Sequence, residues 1–206
     1  MPKRLPSEKG MTLFEGDLAE KGYRLICGID EVGRGALAGP VVAAAVILPL
    51  GCDIRGVRDS KLLTPRQREH LFNQISKEAV SIGIGQVDGR LVDTLNVLQA
   101  TLLAMSISVQ QLQVQPEYLL VDALTLPEIG IEQKGIVHGD NLSISIAAAS
   151  IMAKVTRDRL MCHYHTQFPA YGFNLHKGYG TVRHLWAIQQ YGPCHIHRRT
   201  FRGVCR

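Results

Sequence analysis

Apolar positions along the chain group into short runs and longer periodic stretches. The runs Arg24 to Ile29 and Val41 to Leu48 have strand length, and "AVSIGIGQV" (Ala79 to Val87) alternates in the way a half-buried strand does. Between them, "DSKLLTPRQREHLFNQISK" places Thr64 as a helix cap, Pro65 in the first helical position and Leu71, Phe72 and Ile75 at helical spacing, which predicts a helix. Leu91 to Leu112 repeats apolar residues every three or four positions and predicts another, followed by a strand in "EYLLVDAL". Ser143 to Phe168 is alanine-rich, lacks glycine and proline, and should form the longest buried helix. After the loop "PAYGFNLHKGYG", Thr181 to Tyr191 again reads as helix, and "GPCHIHRRTFRGVCR" closes the chain with four arginines. Strands first, then strands alternating with helices, indicate a mixed α/β core with a helical C-terminal extension. Residues 1–22 are expected to be a flexible lead-in.

Composition narrows this picture. With 206 residues and 46% hydrophobic content the chain can bury a substantial core as one unit. A net charge of +5 favours anionic partners without identifying one. Five cysteines with no C-x-x-C argue against a secreted disulfide framework and fit a reducing cytoplasm. The polar start "MPKRLPSEKGM" has no apolar core of the kind a secretory signal needs. Gly35 to Gly51 is uncharged and approaches the length of a membrane span. However, Gly39, Pro40, Pro49 and Gly51 confine its continuous part to Val41–Leu48, so it reads as a buried strand.

The chemistry gathers first in "GIDEVGRGALAG" (residues 28–39). Gly33, Gly35 and Ala38 match a dinucleotide fingerprint, yet that fingerprint needs a helix at its last small residue, and here Gly39 and Pro40 lead into β-branched Val41 and Val42. Adjacent acids at a strand's end suit a hard divalent cation instead. Asp30 and Glu31 point to opposite faces unless the strand twists or ends there, and Glu31 could equally pair with Arg34. Asp122 is the only acid in the apolar run "YLLVDAL"; buried alone it would cost several kcal/mol. Arg34, Lys61 or a metal shared with Asp30 and Glu31 would satisfy it. Asp140 in "HGDN" is either a further ligand or a cap for the long helix. On that helix Ser150, Lys154 and Asp158 share a face, with a Lys154–Asp158 ion pair the simpler reading. "CHYH" and "CHIH" lack zinc-finger spacing and read as surface histidines beside structural thiols. "HKGYG" sets Tyr179 between glycines beside Lys177, either to meet a sugar or base while the cation holds phosphate or as an ordinary turn. The basic "HIHRRTFR" either grips a phosphate backbone or is a solvated tail.

In order, "GIDEVGRGALAGPVVAAAVIL", "DSKLLTPRQRE", "LLVDAL", "HGDNLSISIAAASIMAKVTRDRLM" and "YGFNLHKGYGTVRHLWAIQQYGPCHIHRRTF" closely resemble the type 2 ribonucleases H, specifically the bacterial ribonuclease HII family. The resemblance implies an RNase H-like mixed central sheet flanked by helices, in one catalytic domain over 23–206 whose helical C-terminal extension begins about residue 160. It implies endonucleolytic cleavage of the RNA strand of RNA/DNA hybrids and cutting 5′ of ribonucleotides embedded in duplex DNA. The family's acidic site falls on Asp30, Glu31, Asp122 and Asp140, with Mn²⁺ or Mg²⁺ in a two-metal scheme that leaves 5′-phosphate and 3′-hydroxyl ends. Gly33, Arg34 and Gly35 correspond to the loop that contacts the 2′-hydroxyl, and Tyr179 to the tyrosine at the RNA-to-DNA junction. Lys61, Lys177, Arg198 and Arg199 join the substrate-binding set, while Ser150, Lys154 and Asp158 surround the metal site.

A replication clamp is left open as a protein partner, no membrane is involved, and a monomer is the default. The rival reading is a noncatalytic binder of RNA/DNA junctions. Three positions depart from the family pattern: Ala36 for proline, His138 for lysine and Thr200 for serine.

Overall fold

The computed structural model describes residues 12–52, 54–57, 60 and 63–205. Their elements run α1 (Leu13–Glu20), β1 (Ile26–Val32), β2 (Val41–Ile47), α2 (Pro65–Glu78), β3 (Ser81–Val87), α3 (Gly89–Leu95), α4 (Val97–Gln110), β4 (Tyr118–Asp122), β5 (Glu132–Ile136), α5 (Ile144–Gln167), α6 (Phe173–His176) and α7 (Val182–Tyr191). The strands form one sheet in the order β3-β2-β1-β4-β5. β1 is antiparallel to β2 and parallel to β4, so the sheet is mixed, as expected.

Local chemistry explains most boundaries. Thr64 Oγ1 accepts the Gln67 N–H at 3.3 Å and Gln67 Oε1 accepts the Thr64 N–H at 2.9 Å, a reciprocal cap that starts α2 with Pro65 in its first turn. β2 is buried along its whole length, which accounts for the uncharged stretch: it is an interior strand, between β3 and β1, of a covered sheet. Among the described residues no helix is long and apolar enough to cross a membrane.

Elsewhere the structure corrects the sequence reading. Leu91 to Leu112 is two helices rather than one, because Asn96 adopts φ 73° and its Oδ1 accepts the N–H groups of Leu98 and Gln99 at 3.0 and 3.1 Å. With ψ 163° that backbone leaves the helical region altogether, and the asparagine side chain caps the new helix. The expected flexible lead-in falls partly on residues 1–11, which lie outside those described. In the rest of it α1 is a docked helix: Leu18 is buried, and Glu15 accepts from Ser143 Oγ at 2.6 Å and from the Ser145 N–H at 3.0 Å. β5 escaped prediction because "EQKGI" is a polar edge strand without an apolar run.

Glycines let helices approach the sheet closely. A Cβ on Gly28 would lie 2.0 Å from the backbone carbon of Ser145, in the first turn of α5, and one on Gly85 would lie 1.9 Å from Ala104 O in α4. Helix α5 therefore rests directly on β1 at the level of Gly28, one turn of side chains below Asp30. We expect Gly28→Ala to cost about 3 kcal/mol or more, since backbone rather than a flexible side chain must move. Urea unfolding measures this; a midpoint unchanged from the parent would contradict the packing.

Candidate active site

The parallel register of β1 and β4 pairs Ile29 with Val121, so Asp30 and Asp122 follow side by side where β4 ends. Ends of parallel strands are where open α/β sheets place ligands. Ligand oxygens of Asp30, Glu31 and Asp122 all lie within 4.8 Å of one another, and among the described residues this is the one such group. Strand alternation starts Asp30 and Glu31 on opposite faces, and both lie within β1, paired with Ala44 and Ala43 of β2, yet each brings an oxygen into the group.

Like charges this close under burial are unfavourable, and the titration of Asp30 and Glu31 reflects it. Asp30 is 6% exposed; burial, then the charges of Glu31 and Asp122, push its carboxyl well above the usual range against an opposing hydrogen bond from Ser150. Burial also raises Glu31, with Arg34 pulling the other way through a 3.1 Å contact from Nη1 to Oε1. Glu31 thus pairs with Arg34 while belonging to the acid group. Its Oε2 is buried without a hydrogen-bond partner among the described residues. Asp122 Oδ1 accepts the Gly139 N–H at 2.8 Å. An all-oxygen donor set, short of positive charge and with one buried oxygen unpaired, fits a hard divalent cation.

Two buried arginines hold the loop that follows β1. Arg157, on α5, donates from Nε to Pro40 O at 2.9 Å, from Nη1 to Lys177 O at 2.9 Å and from Nη2 to Ala38 O at 3.1 Å. Arg198 donates to Gly39 O from Nε and Nη2 at 3.1 and 2.9 Å, and to Arg34 O from Nη1 at 2.8 Å. Gly33 must be glycine: its φ is 96°, and a Cβ would meet Arg157 Nε at 2.2 Å. Arg34 and Gly35 stand exposed between the buried Gly33 and Ala36.

The "HKGYG" loop docks on the same segment. Gly178 O accepts the N–H groups of Leu37 and Ala38 at 2.8 and 3.3 Å, and the Arg157 guanidinium lies 5.4 Å from the Tyr179 ring centre. Tyr179 is thereby held against Arg157, in a loop docked on Leu37 and Ala38.

The remaining expected residues divide. Asp140 is buried in a 3₁₀ turn directly after Gly139, where the Asn141 side chain donates to it at 2.9 Å; it is not among the three converging acids. The cap of α5 is Ser143, whose side chain accepts the Ile146 N–H. Ser150 meets Ser60 at 2.9 Å, and Lys154 pairs with Asp158 at 2.8 Å as the simpler reading held. Lys154, Asp158 and Lys177 line a groove of ≈ 510 Å³ with Arg68 and Arg159. Lys177 Nζ donates to Asn174 O. Lys61 lies outside the described residues.

Arg198 corrects expectation: it is fully buried with its fork committed to carbonyls, so it shapes the loop rather than meeting phosphate. Arg199 stays exposed, its N–H bound to Asp93. Arg157 was missed, although a charge spaced by four from Ala153 and Met161 on an apolar helix face marks a buried, hydrogen-bonded arginine.

The departures are accommodated. Ala36 N–H donates to Gly33 O at 3.3 Å, closing a turn that proline would leave open, and Thr200 Oγ1 donates to Asp93 at 2.6 Å. His138 is exposed with φ 58°.

A family model described as Ribonuclease HII matches residues 27–204. Ribonuclease HII of Geotalea uraniireducens is 56% identical over 191 residues, 93% of this chain and 88% of that one. Among solved structures, ribonuclease H2 from Pyrococcus horikoshii OT3 aligns with TM-score 0.73 at 27% identity, covering 87% of this chain and 94% of that chain. RNase HII in the PCNA:RNase HII complex from Archaeoglobus fulgidus gives TM-score 0.73 at 25% identity, covering 86% and 95%.

Proposed function

Because the chain belongs to the ribonuclease HII family and is a ribonuclease H, we propose that it cuts RNA in RNA/DNA hybrids and on the 5′ side of ribonucleotides embedded in duplex DNA. The observation that carries the catalytic part is the convergence of Asp30, Glu31 and Asp122 within 4.8 Å. These three, with Asp140 as a fourth, would hold Mn²⁺ or Mg²⁺. Two such ions, when bound, supply an activated water and neutralise charge on the leaving 3′ oxygen.

The protein's own groups do the rest. Gly139 fixes the Asp122 carboxylate through its N–H, and Ser150 holds Asp30 from the helix below. Exposed Gly35 has nothing within 4 Å of its missing Cβ, so the backbone of the Arg34–Gly35 tip can approach a ribose closely and sense its 2′-hydroxyl. Tyr179 supplies a ring against the next sugar, and Lys177 with Arg199 supply charge toward phosphate. A replication clamp is the protein partner we would look for, given the Archaeoglobus relative's complex with PCNA. Five cysteines without a C-x-x-C pair suit a reducing compartment, and we place the enzyme in the cytoplasm.

The test is cleavage of a labelled DNA duplex bearing one ribonucleotide, with Mn²⁺, Mg²⁺ or EDTA, and mapping of the cut. A metal-dependent cut 5′ of the ribonucleotide, with a 5′-phosphate on the released end, is expected. Binding without cutting in either metal would instead favour a noncatalytic junction reader. Tyr179→Ala should lower the rate at a single ribonucleotide relative to a uniform hybrid by about tenfold or more, the worth of one stacking contact. An unchanged ratio of the two rates would remove Tyr179 from junction recognition.

A further inference from the structure

Behind Tyr179 lie three histidines that neither the acid group nor the loop tip uses. His184 on α7 and His197 in the C-terminal segment are buried at 0% and 2% exposure, and His176 at the end of α6 stacks on His184 with ring centres 4.4 Å apart. Their partners assign every proton. His176 Nδ1 accepts the Gly178 N–H at 3.2 Å while Nε2 faces Tyr171 O at 2.8 Å, so the proton is on Nε2. His184 Nδ1 faces Tyr179 O at 3.0 Å and must donate, which leaves its Nε2 to accept from His197 Nε2 at 3.1 Å. His197 Nδ1, in turn, can only accept, and it faces the Cys194 N–H at 3.0 Å and the Cys194 thiol at 3.1 Å.

The chain of bonds therefore has one direction. We propose that His184 and His197 are positioning residues for Tyr179: a relay running from the Cys194 N–H through His197 and His184 to the Tyr179 carbonyl holds that tyrosine where the junction is read. This rests on the assignment of Tyr179 to junction recognition.

The same loop is anchored at each neighbouring carbonyl, by Arg157 at Lys177 O and by Leu37 and Ala38 at Gly178 O. Tyr179 O, shared by the Thr181 N–H at 2.8 Å and His184, is the anchor nearest the ring's own residue. The relay works only with neutral imidazoles, because a second proton on His184 or His197 sets two donors face to face. Burial holds both at about 4, and the charge of His184 lowers His197 further. The titratable and charged groups around them act in the same sense: His176 on both, with Arg183, Lys177 and His165 acting on His176. Cys194 faces His197 as a thiol, its pKa raised by burial.

The experiment has a spectroscopic and a kinetic arm, both on the full chain. Imidazole ¹⁵N shifts at pH 6 should show His184 neutral and protonated on Nδ1, and His197 neutral and protonated on Nε2. An imidazolium or the opposite tautomer at His184 or His197 overturns the relay. In the kinetic arm, His184→Phe keeps the aromatic packing but loses the donor. It should lower the single-ribonucleotide to uniform-hybrid rate ratio by up to about tenfold, as one anchoring hydrogen bond would. His184→Asn, which can still donate to Tyr179 O, should recover most of that loss. Adding His184→Phe to Tyr179→Ala should change the ratio no further. If Tyr179→Ala lowers the ratio and His184→Phe does not, the relay fails alone; if Tyr179→Ala leaves the ratio unchanged, the junction assignment fails and takes the relay with it.

Discussion

Asp30→Asn is expected to slow ribonucleotide cleavage by at least about 10³-fold, a loss of about 4 kcal/mol from transition-state stabilisation. Duplex binding should persist or tighten, because one negative charge is removed from beside the substrate phosphate. The same substitution should raise thermal stability in EDTA. Asp30 is pushed above its ordinary value of 3.8 by burial and by its acidic neighbours, and Glu31 is raised as well. The native state then holds protons that the unfolded state has released, so these groups stabilise the metal-free protein at low pH and that contribution is lost as pH rises through their native pKa values. Asparagine does not titrate. In EDTA the variant should therefore melt above the parent at neutral pH, and the gap should close toward about pH 4. The buried histidines affect both proteins equally and cancel in the comparison. Added Mn²⁺ should raise the melting temperature of the parent far more than that of the variant. Cleavage and thermal melts from pH 4 to 8 check both halves, and parent-like turnover in Asp30→Asn would sink the catalytic assignment.

Much of this site was legible in the sequence because its parts violate local expectation. A carboxylate in "YLLVDAL" and an acidic pair at the close of "LICGIDE" are costly where they stand, and the cost points to a shared function. The strands and long helices were legible for the ordinary reason that their apolar period matches their geometry. What escaped depended on tertiary partners. The polar strand Glu132–Ile136 exists because β4 offers it a ladder, and α1 is ordered by Glu15 reaching the first turn of α5. The break at Asn96 follows from one residue's backbone, which periodicity cannot see. Arg198 misled because four arginines near a chain end read either as a grip on a phosphate backbone or as a solvated tail. In the fold, Arg198 N–H pairs with Leu37 O and its side chain turns inward to the loop.

Arg157 is where fold and recognition meet, and replacing it should cost both. Its fork spans two loops far apart in sequence, binding Pro40 and Ala38 on one side and Lys177 on the other, in a site where it is fully buried. Arg157→Met preserves much of the volume but leaves three carbonyls without this donor. At about 1 kcal/mol for each lost hydrogen bond the variant should be about 3 kcal/mol less stable. For a chain of this size that corresponds to roughly 6–12 °C in melting temperature. Arg157→Lys should recover little, since an ammonium lacks the planar fork that reaches Nε, Nη1 and Nη2 acceptors at once. Both variants should also release Gly33 from the contact that demands glycine there, loosening the Arg34–Gly35 tip and the Tyr179 loop together. Discrimination between a ribonucleotide and a deoxynucleotide should then fall more than metal-dependent cleavage of a uniform hybrid, because the acid group is held by β1, β4 and Gly139 rather than by Arg157. Thermal melts beside rates on the two substrates separate these effects. A lysine variant with parent-like melting and an unchanged rate ratio would show that the two loops do not depend on this fork.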